Sequence, residues 1–143
     1  MYSKLMITLT VVLAMVALLA SCSSANYSFI YSLEEIDAIE IVQIIGWDTD
    51  KHEFSENLLA EINDQDAFLK KFKKVDCSHH YTDPMGIVPP ATAIKIIYKS
   101  GAYELITDAG VAIYTPDAGL KNWKGYYCFN KKQFDDLLAQ YIE

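Results

Sequence analysis

Ala93-Ile94-Lys95-Ile96-Ile97-Tyr98-Lys99-Ser100-Gly101-Ala102-Tyr103-Glu104-Leu105-Ile106 decides the fold class of this chain. Residues 93–98 and 103–106 are rich in β-branched and aromatic side chains, which fit a pleated surface. Ser100-Gly101 between them makes a compact turn, with Gly supplying the positive φ that such turns require. An antiparallel hairpin follows. Downstream, Asp108-Ala109-Gly110 turns into a strand over 111–114, ended by Thr115-Pro116-Asp117-Ala118-Gly119. A last strand is expected over 126–129. Asn130-Lys131-Lys132-Gln133 then opens a helix as an Asn/Gln variant of the capping box. Phe134, Leu137, Leu138 and Tyr141 follow at the spacing of one helical face.

Upstream, residues 38–46 are dominated by Ile and Val and read as a strand, with 46–51 a loop and 58–62 a strand pairing back. Asn63-Asp64 caps a helix carrying Phe68, Leu69 and Phe72, surrounded by Lys70, Lys71, Lys73 and Lys74. The lysines gather at the helix C-terminus, where the macrodipole favours cations. Residues 75–80 read as a strand, followed by a break at Asp83-Pro84-Met85-Gly86 and Pro89-Pro90. Ser32-Leu33-Glu34-Glu35 resembles a capping box over a single turn. The expected class is α+β: an antiparallel sheet with two helices packed on one face. The two helix openings echo one another, which raises two strand-then-helix halves as an origin.

The N-terminus carries an address. Lys4 precedes sixteen largely apolar residues, 5–20, closed by Leu19-Ala20-Ser21-Cys22. A positive start, an apolar stretch and small residues describe a secretory signal peptide. At about 1.5 Å per residue, sixteen residues span roughly 24 Å, short of the ~30 Å hydrocarbon core. The Leu-Ala-Ser-Cys ending resembles the lipobox of bacterial lipoproteins, which implies cleavage before Cys22 and lipid on its sulfur. The expected organisation is a signal peptide at 1–21, a tether at 22–31 and one domain at 32–143, exported and held at the outer face of the cell membrane. The mature body also resembles small, uncharacterised lipoproteins of Firmicutes, in an Asp-Pro loop placed before an Ile-Lys-Ile-x-Tyr hairpin. That resemblance implies a shared fold and no catalytic residue.

Charge narrows the partners. The net charge of −7 becomes −8 once Lys4 leaves with the leader, and every basic residue is lysine. Without the bidentate forks of arginine, an acidic body is a poor ligand for nucleic acid, whose binding rests on phosphate neutralisation. With Cys22 acylated, Cys77 and Cys128 remain. A disulfide between them would close a loop of about fifty residues, contributing about 4 kcal/mol in the chain-entropy model; the alternative is two separate thiols.

Chemistry-bearing motifs are sparse. Cys77, His79 and Asp83 combine ligand types suited to a transition metal, without the second pair that a closed zinc site needs. Asp48-Thr49-Asp50, Glu53 and Glu56 are acidic enough for calcium, but an EF-hand loop from Asp48 would place Glu53 at its glycine and Leu59 at its glutamate. No nucleophile elbow or phosphate loop is present. Tyr98, Tyr103, Tyr114, Trp123, Tyr126 and Tyr127 concentrate in the second half. Such side chains serve recognition surfaces and ordinary strands alike. These features point to a non-enzymatic interaction module at the cell envelope, partnered by the membrane through its lipid and by an envelope protein or small ligand, with no cofactor. The alternatives are a metal- or small-ligand-binding lipoprotein using Cys77, His79 and Asp83, and an envelope hydrolase.

Overall fold

The computed structural model describes residues 26–79, 87–123 and 127–143. A 3-10 turn, Leu33–Glu35, leads into β1 (Ile36–Asp48) and β2 (Glu53–Glu61), then α1 (Gln65–Phe72) and β3 (Cys77–His79). β4 (Ala91–Tyr98), β5 (Tyr103–Ile106), β6 (Val111–Thr115), β7 (Gly119–Trp123) and β8 (Tyr127–Phe129) precede α2 (Lys131–Leu138). Six strands form one curled antiparallel sheet in the order β2-β1-β4-β5-β6-β7, and β3 pairs with β8 in a separate two-stranded ladder. The protein is therefore mixed α and β, mostly sheet.

The expected hairpin stands at the centre, β4 against β5, and its Gly101 has a φ of +83°. β1 is longer than expected and absorbs the first residues of the anticipated loop, so the turn to β2 falls at residues 49–52. β2 begins at Glu53, five residues before the expected start. β7 is an addition: Gly119, read as the end of a strand, has a φ of +67° and turns the chain into a new one. Polar Lys121 and Asn122 hid it from a hydrophobic pattern.

The unbroken apolar run in β1 has a structural reason. Successive side chains of a strand point to opposite faces. Ile39 and Ile41 join one hydrophobic cluster, whereas Val42 and Ile44 join another. β1 thus serves two cores, one on each side of the sheet. Register extends the first across Ala60, Ile41, Ile94, Ile106 and Val111, one residue from each of five adjacent strands. The same cluster holds Phe68, Leu69 and Phe72 of α1 and Phe134, Leu137 and Leu138 of α2. The second cluster is smaller, built on Val42, Ile44, Phe54, Ala93, Leu105 and Ala112.

Helix openings follow the expected chemistry in part. Asp64 accepts from the Ala67 N–H at 3.0 Å, and Asn130 from the Gln133 N–H at 3.0 Å. The reciprocal half of the second capping box is absent. Gln133 instead grips Asp76, donating to its carboxylate at 2.8 Å and accepting from its N–H at 2.7 Å, which ties α2 to the start of β3. At Ser32 no side-chain cap forms.

The chain expected as tether joins the domain earlier than its polarity indicates. Tyr27, Phe29 and Ile30 pack against the first cluster. Residues 1–21, Cys22 and the 83–86 break lie outside the described residues. In urea unfolding, Phe68→Ala at a fully buried position is expected to lose about 3–5 kcal/mol. Leu58→Ala, in β2 and 53% exposed, should stay within about 0.5 kcal/mol.

Candidate functional site

The register that pairs Ile96 with Glu104 and Glu104 with Ile113 places a carboxylate in a row of isoleucines. Glu104 is 0% exposed. Burying a charge without partners is costly, and the donors that meet it include the hydroxyls of Tyr27 and Tyr98 and the Ile30 N–H at 2.7 Å. Burial first, then the charge of and hydrogen bond to Glu104, raise the pKa of both phenols well above the ordinary tyrosine value. Both therefore remain protonated donors. Tyr27 and Ile30 come from the N-terminal segment, so Glu104 acts as a clasp on residues 27–30. Nothing leaves it open to a substrate.

The open polar site lies on the opposite side of the sheet, at the mouth of its curl. Here Lys95 of β4 meets Glu56 of β2 in an ion pair whose side chains are only 15% and 23% exposed. The Lys95 ammonium also stands 4.6 Å from the Tyr103 ring centroid. Tyr103 stacks on Tyr114, its neighbour in β6, with centroids 4.7 Å apart and planes 11° from parallel. Beside them opens a cleft of about 380 Å³, lined also by Asp48, Lys51, Glu53 and Phe54. Its volume falls in the roughly 300–1,000 Å³ range of ligand sites. Burial, followed by the charges of Glu56 and Glu53, pushes the Tyr103 pKa up, so its hydroxyl is a neutral donor and acceptor. Asp48 is occupied with its own turn, accepting from the N–H groups of Asp50 and Lys51 at 3.0 and 3.1 Å. The arrangement offers a stacked aromatic surface, acidic oxygens and one held ammonium. It suits recognition of a hydroxyl- or amine-bearing ligand.

The six aromatic residues expected to form one patch are divided. Tyr103 and Tyr114 share the cleft face. Tyr98 is a correction: it lies buried in the first cluster as a Glu104 partner. Tyr127 packs beside the same cluster with its ring 4.9 Å from that of Tyr27. Tyr126 and the Trp123 side chain lie outside the described residues.

The disulfide reading is also corrected. Cys77 stands opposite Phe129 and Cys128 opposite Ser78, so the cysteines occupy different faces of the β3–β8 ladder, and both are free thiols. Cys77 is buried, which together with its thiol neighbour Cys128 raises its pKa to about 11. Of the proposed metal set, Cys77 is in the core, while Asp83 and the His79 side chain lie outside the described residues. Among the described residues no three His, Cys, Asp or Glu side chains converge on one point.

No family model, curated protein or solved structure matches this chain.

Glu104 and Tyr27 are the residues that sequence reasoning missed. The signal for Glu104 was present in the hairpin: its tight turn fixes a register that sets Glu104 among core isoleucines. Tyr27→Phe is expected to cost about 1.5–3 kcal/mol, the range for a hydrogen bond to a charged group. Because the folded phenol has the higher pKa, its contribution is complete below the unfolded value of about 10 and declines as pH rises beyond it. Unfolding free energies measured from about pH 9 to 11.5 should therefore fall less steeply in Tyr27→Phe than in the wild type. For the thiols, iodoacetamide should label Cys128 in the folded protein and Cys77 only after denaturation. A bridged pair would give neither label.

Proposed function

We propose that this protein is an exported lipoprotein, anchored to the membrane through Cys22, that works as a non-enzymatic interaction module at the cell envelope. The observation that carries the reading is the Tyr103–Tyr114 stack beside the Lys95–Glu56 pair at an open cleft. Aromatic rings give contact area at low entropic cost, and the flanking polar groups orient a partner. In this reading both helices lie on the other face of the sheet, so no described helix lies over the cleft. The matching Asp64 and Asn130 caps support an origin in two strand-then-helix halves.

The addressing part rests on the Leu19-Ala20-Ser21-Cys22 ending behind its apolar run. Two or more acyl chains, at about 0.8 kcal/mol per buried CH₂, hold a domain stably at a bilayer. Among the described residues no helix is long and apolar enough to cross a membrane. The partner chemistry follows from the cleft: three carboxylates, Asp48, Glu53 and Glu56, against two lysines, Lys51 and Lys95, favour a ligand with hydroxyl or amine groups.

Two measurements separate the anchor from the binding. Cys22→Ser should abolish metabolic labelling by a fatty acid; a mutant labelled as strongly as wild type would refute the anchor. Pull-down from solubilised envelope fractions should give a saturable partner that Tyr103→Ala/Tyr114→Ala loses by at least about tenfold, the scale of a 1.4 kcal/mol contact. Capture unaffected by the double substitution, or no saturable partner, counts against the cleft.

A further inference from the structure

A second cavity, of about 580 Å³, opens where the N-terminal segment crosses the C-terminal end of α1. Four aromatic side chains wall it: Tyr27 and Phe29 from the segment, Phe72 from α1 and Phe129 from β8. Their rings pack together, with Tyr27 5.1 Å from Phe29, 5.9 Å from Phe72 and 5.7 Å from Phe129 between ring centroids, and Phe72 and Phe129 also belong to the first core. Lys73 and Lys74 stand at the lining, exposed, and among the described residues neither side chain has an acidic or hydrogen-bonding partner. Lys71, by contrast, is already used, donating to Gln140 at 2.9 Å and lying 5.2 Å from the Tyr141 ring centroid. The one carboxylate in the lining, Asp76, is held by Gln133.

This division selects the ligand. An aromatic surface alone would accept a cation as well as an apolar body, but two unpaired ammonium groups disfavour a cation. A small hydrophilic anion would leave the aromatic wall unused, and exposed lysines alone hold such ions weakly. A molecule with both an apolar part and a negative head uses every feature of the cavity.

We propose that this cavity binds an anionic amphiphile, with its chain or ring against Tyr27, Phe29, Phe72 and Phe129 and its carboxylate or phosphate at Lys73 and Lys74. The site is independent of the sheet-mouth cleft. Lysine stems lie along apolar surface while their heads reach solvent, so the two ammonium groups close over the head of a ligand seated on the rings. The site also gives the lysine cluster a use that the acidic net charge conceals.

The test uses the full chain in its native membranes with two photoreactive probes of equal chain length, a diazirine fatty acid and a diazirine alkylammonium. A diazirine lysophosphatidate forms a third arm. The fatty acid, the lysophosphatidate or both should crosslink to Phe29, Phe72 or Phe129, read by peptide mass spectrometry, and identify the head group. Lys73→Glu/Lys74→Glu, confined to exposed side chains, should reduce that labelling at least about tenfold, while far-ultraviolet circular dichroism stays unchanged. Labelling by the alkylammonium equal to that by the anions, labelling unchanged in the double variant, or no anionic probe in the cavity would overturn the proposal. Cleft binding through Tyr103 and Tyr114 should be unaffected by the lysine substitutions, so the two sites fail or stand separately.

Discussion

A single carboxylate in the wrong place organises this domain. Glu104 occupies a position that register assigns to an apolar side chain, between Ile96 and Ile113. It is tolerated there because donors from Tyr27, Ile30 and Tyr98 converge on it. The reverse dependence is as strong: among the described residues, 26–32 form no strand or helix of their own before the turn at Leu33. Its place is set by two hydrogen bonds to Glu104 and by the burial of Tyr27, Phe29 and Ile30. Removing one member leaves the others with a buried polar group to satisfy, which makes the set cooperative. A cavity wall depends on it too, since Tyr27 joins the clasp through its hydroxyl and the aromatic surface through its ring.

The curl of the sheet follows from a different division. β1 gives Ile39 and Ile41 to one side and Val42 and Ile44 to the other, so no face of the strand is surrendered to water along its central stretch. The small second core is covered in part by Ile87 from the loop before β4, and register shifts interrupt the pairing of β1 with β2 beside it. At the open end of the curl, Lys95 and Glu56 meet and the stacked tyrosines are half-exposed. Core and cleft thus share one side of the sheet, apolar in one part and polar in the other.

The central hairpin, the helices and their apolar faces were legible because each has a local cause: Gly101 at positive φ, Asp64 and Asn130 as caps, and Phe68, Leu69 and Phe72 at helical spacing. β7 was not, since its polar residues carry no alternation to detect. The aromatic content of the second half was visible, but not its division. Whether Tyr98 faces outward or inward depends on which side of the sheet acquires the larger core, a tertiary fact. Glu104 lay in plain view within the most readable segment, yet a charged residue in a strand ordinarily reads as solvent-facing. The N-terminal residues 27–30 looked like a linker because their partners are distant in the chain and no periodicity marks the contact.

That distance has a consequence for how the chain acquires its shape. Tyr27 and Glu104 are separated by 77 positions, and a polypeptide emerges from its N-terminus onward. Throughout the synthesis of the residues between them, the opening segment has no acceptor to hold it. It can make its Glu104 contacts only after β5 exists and has found β4. Loop closure over such a span costs entropy that later contacts must repay. The first residues of the domain to be made complete their Glu104 contacts only with chain made much later.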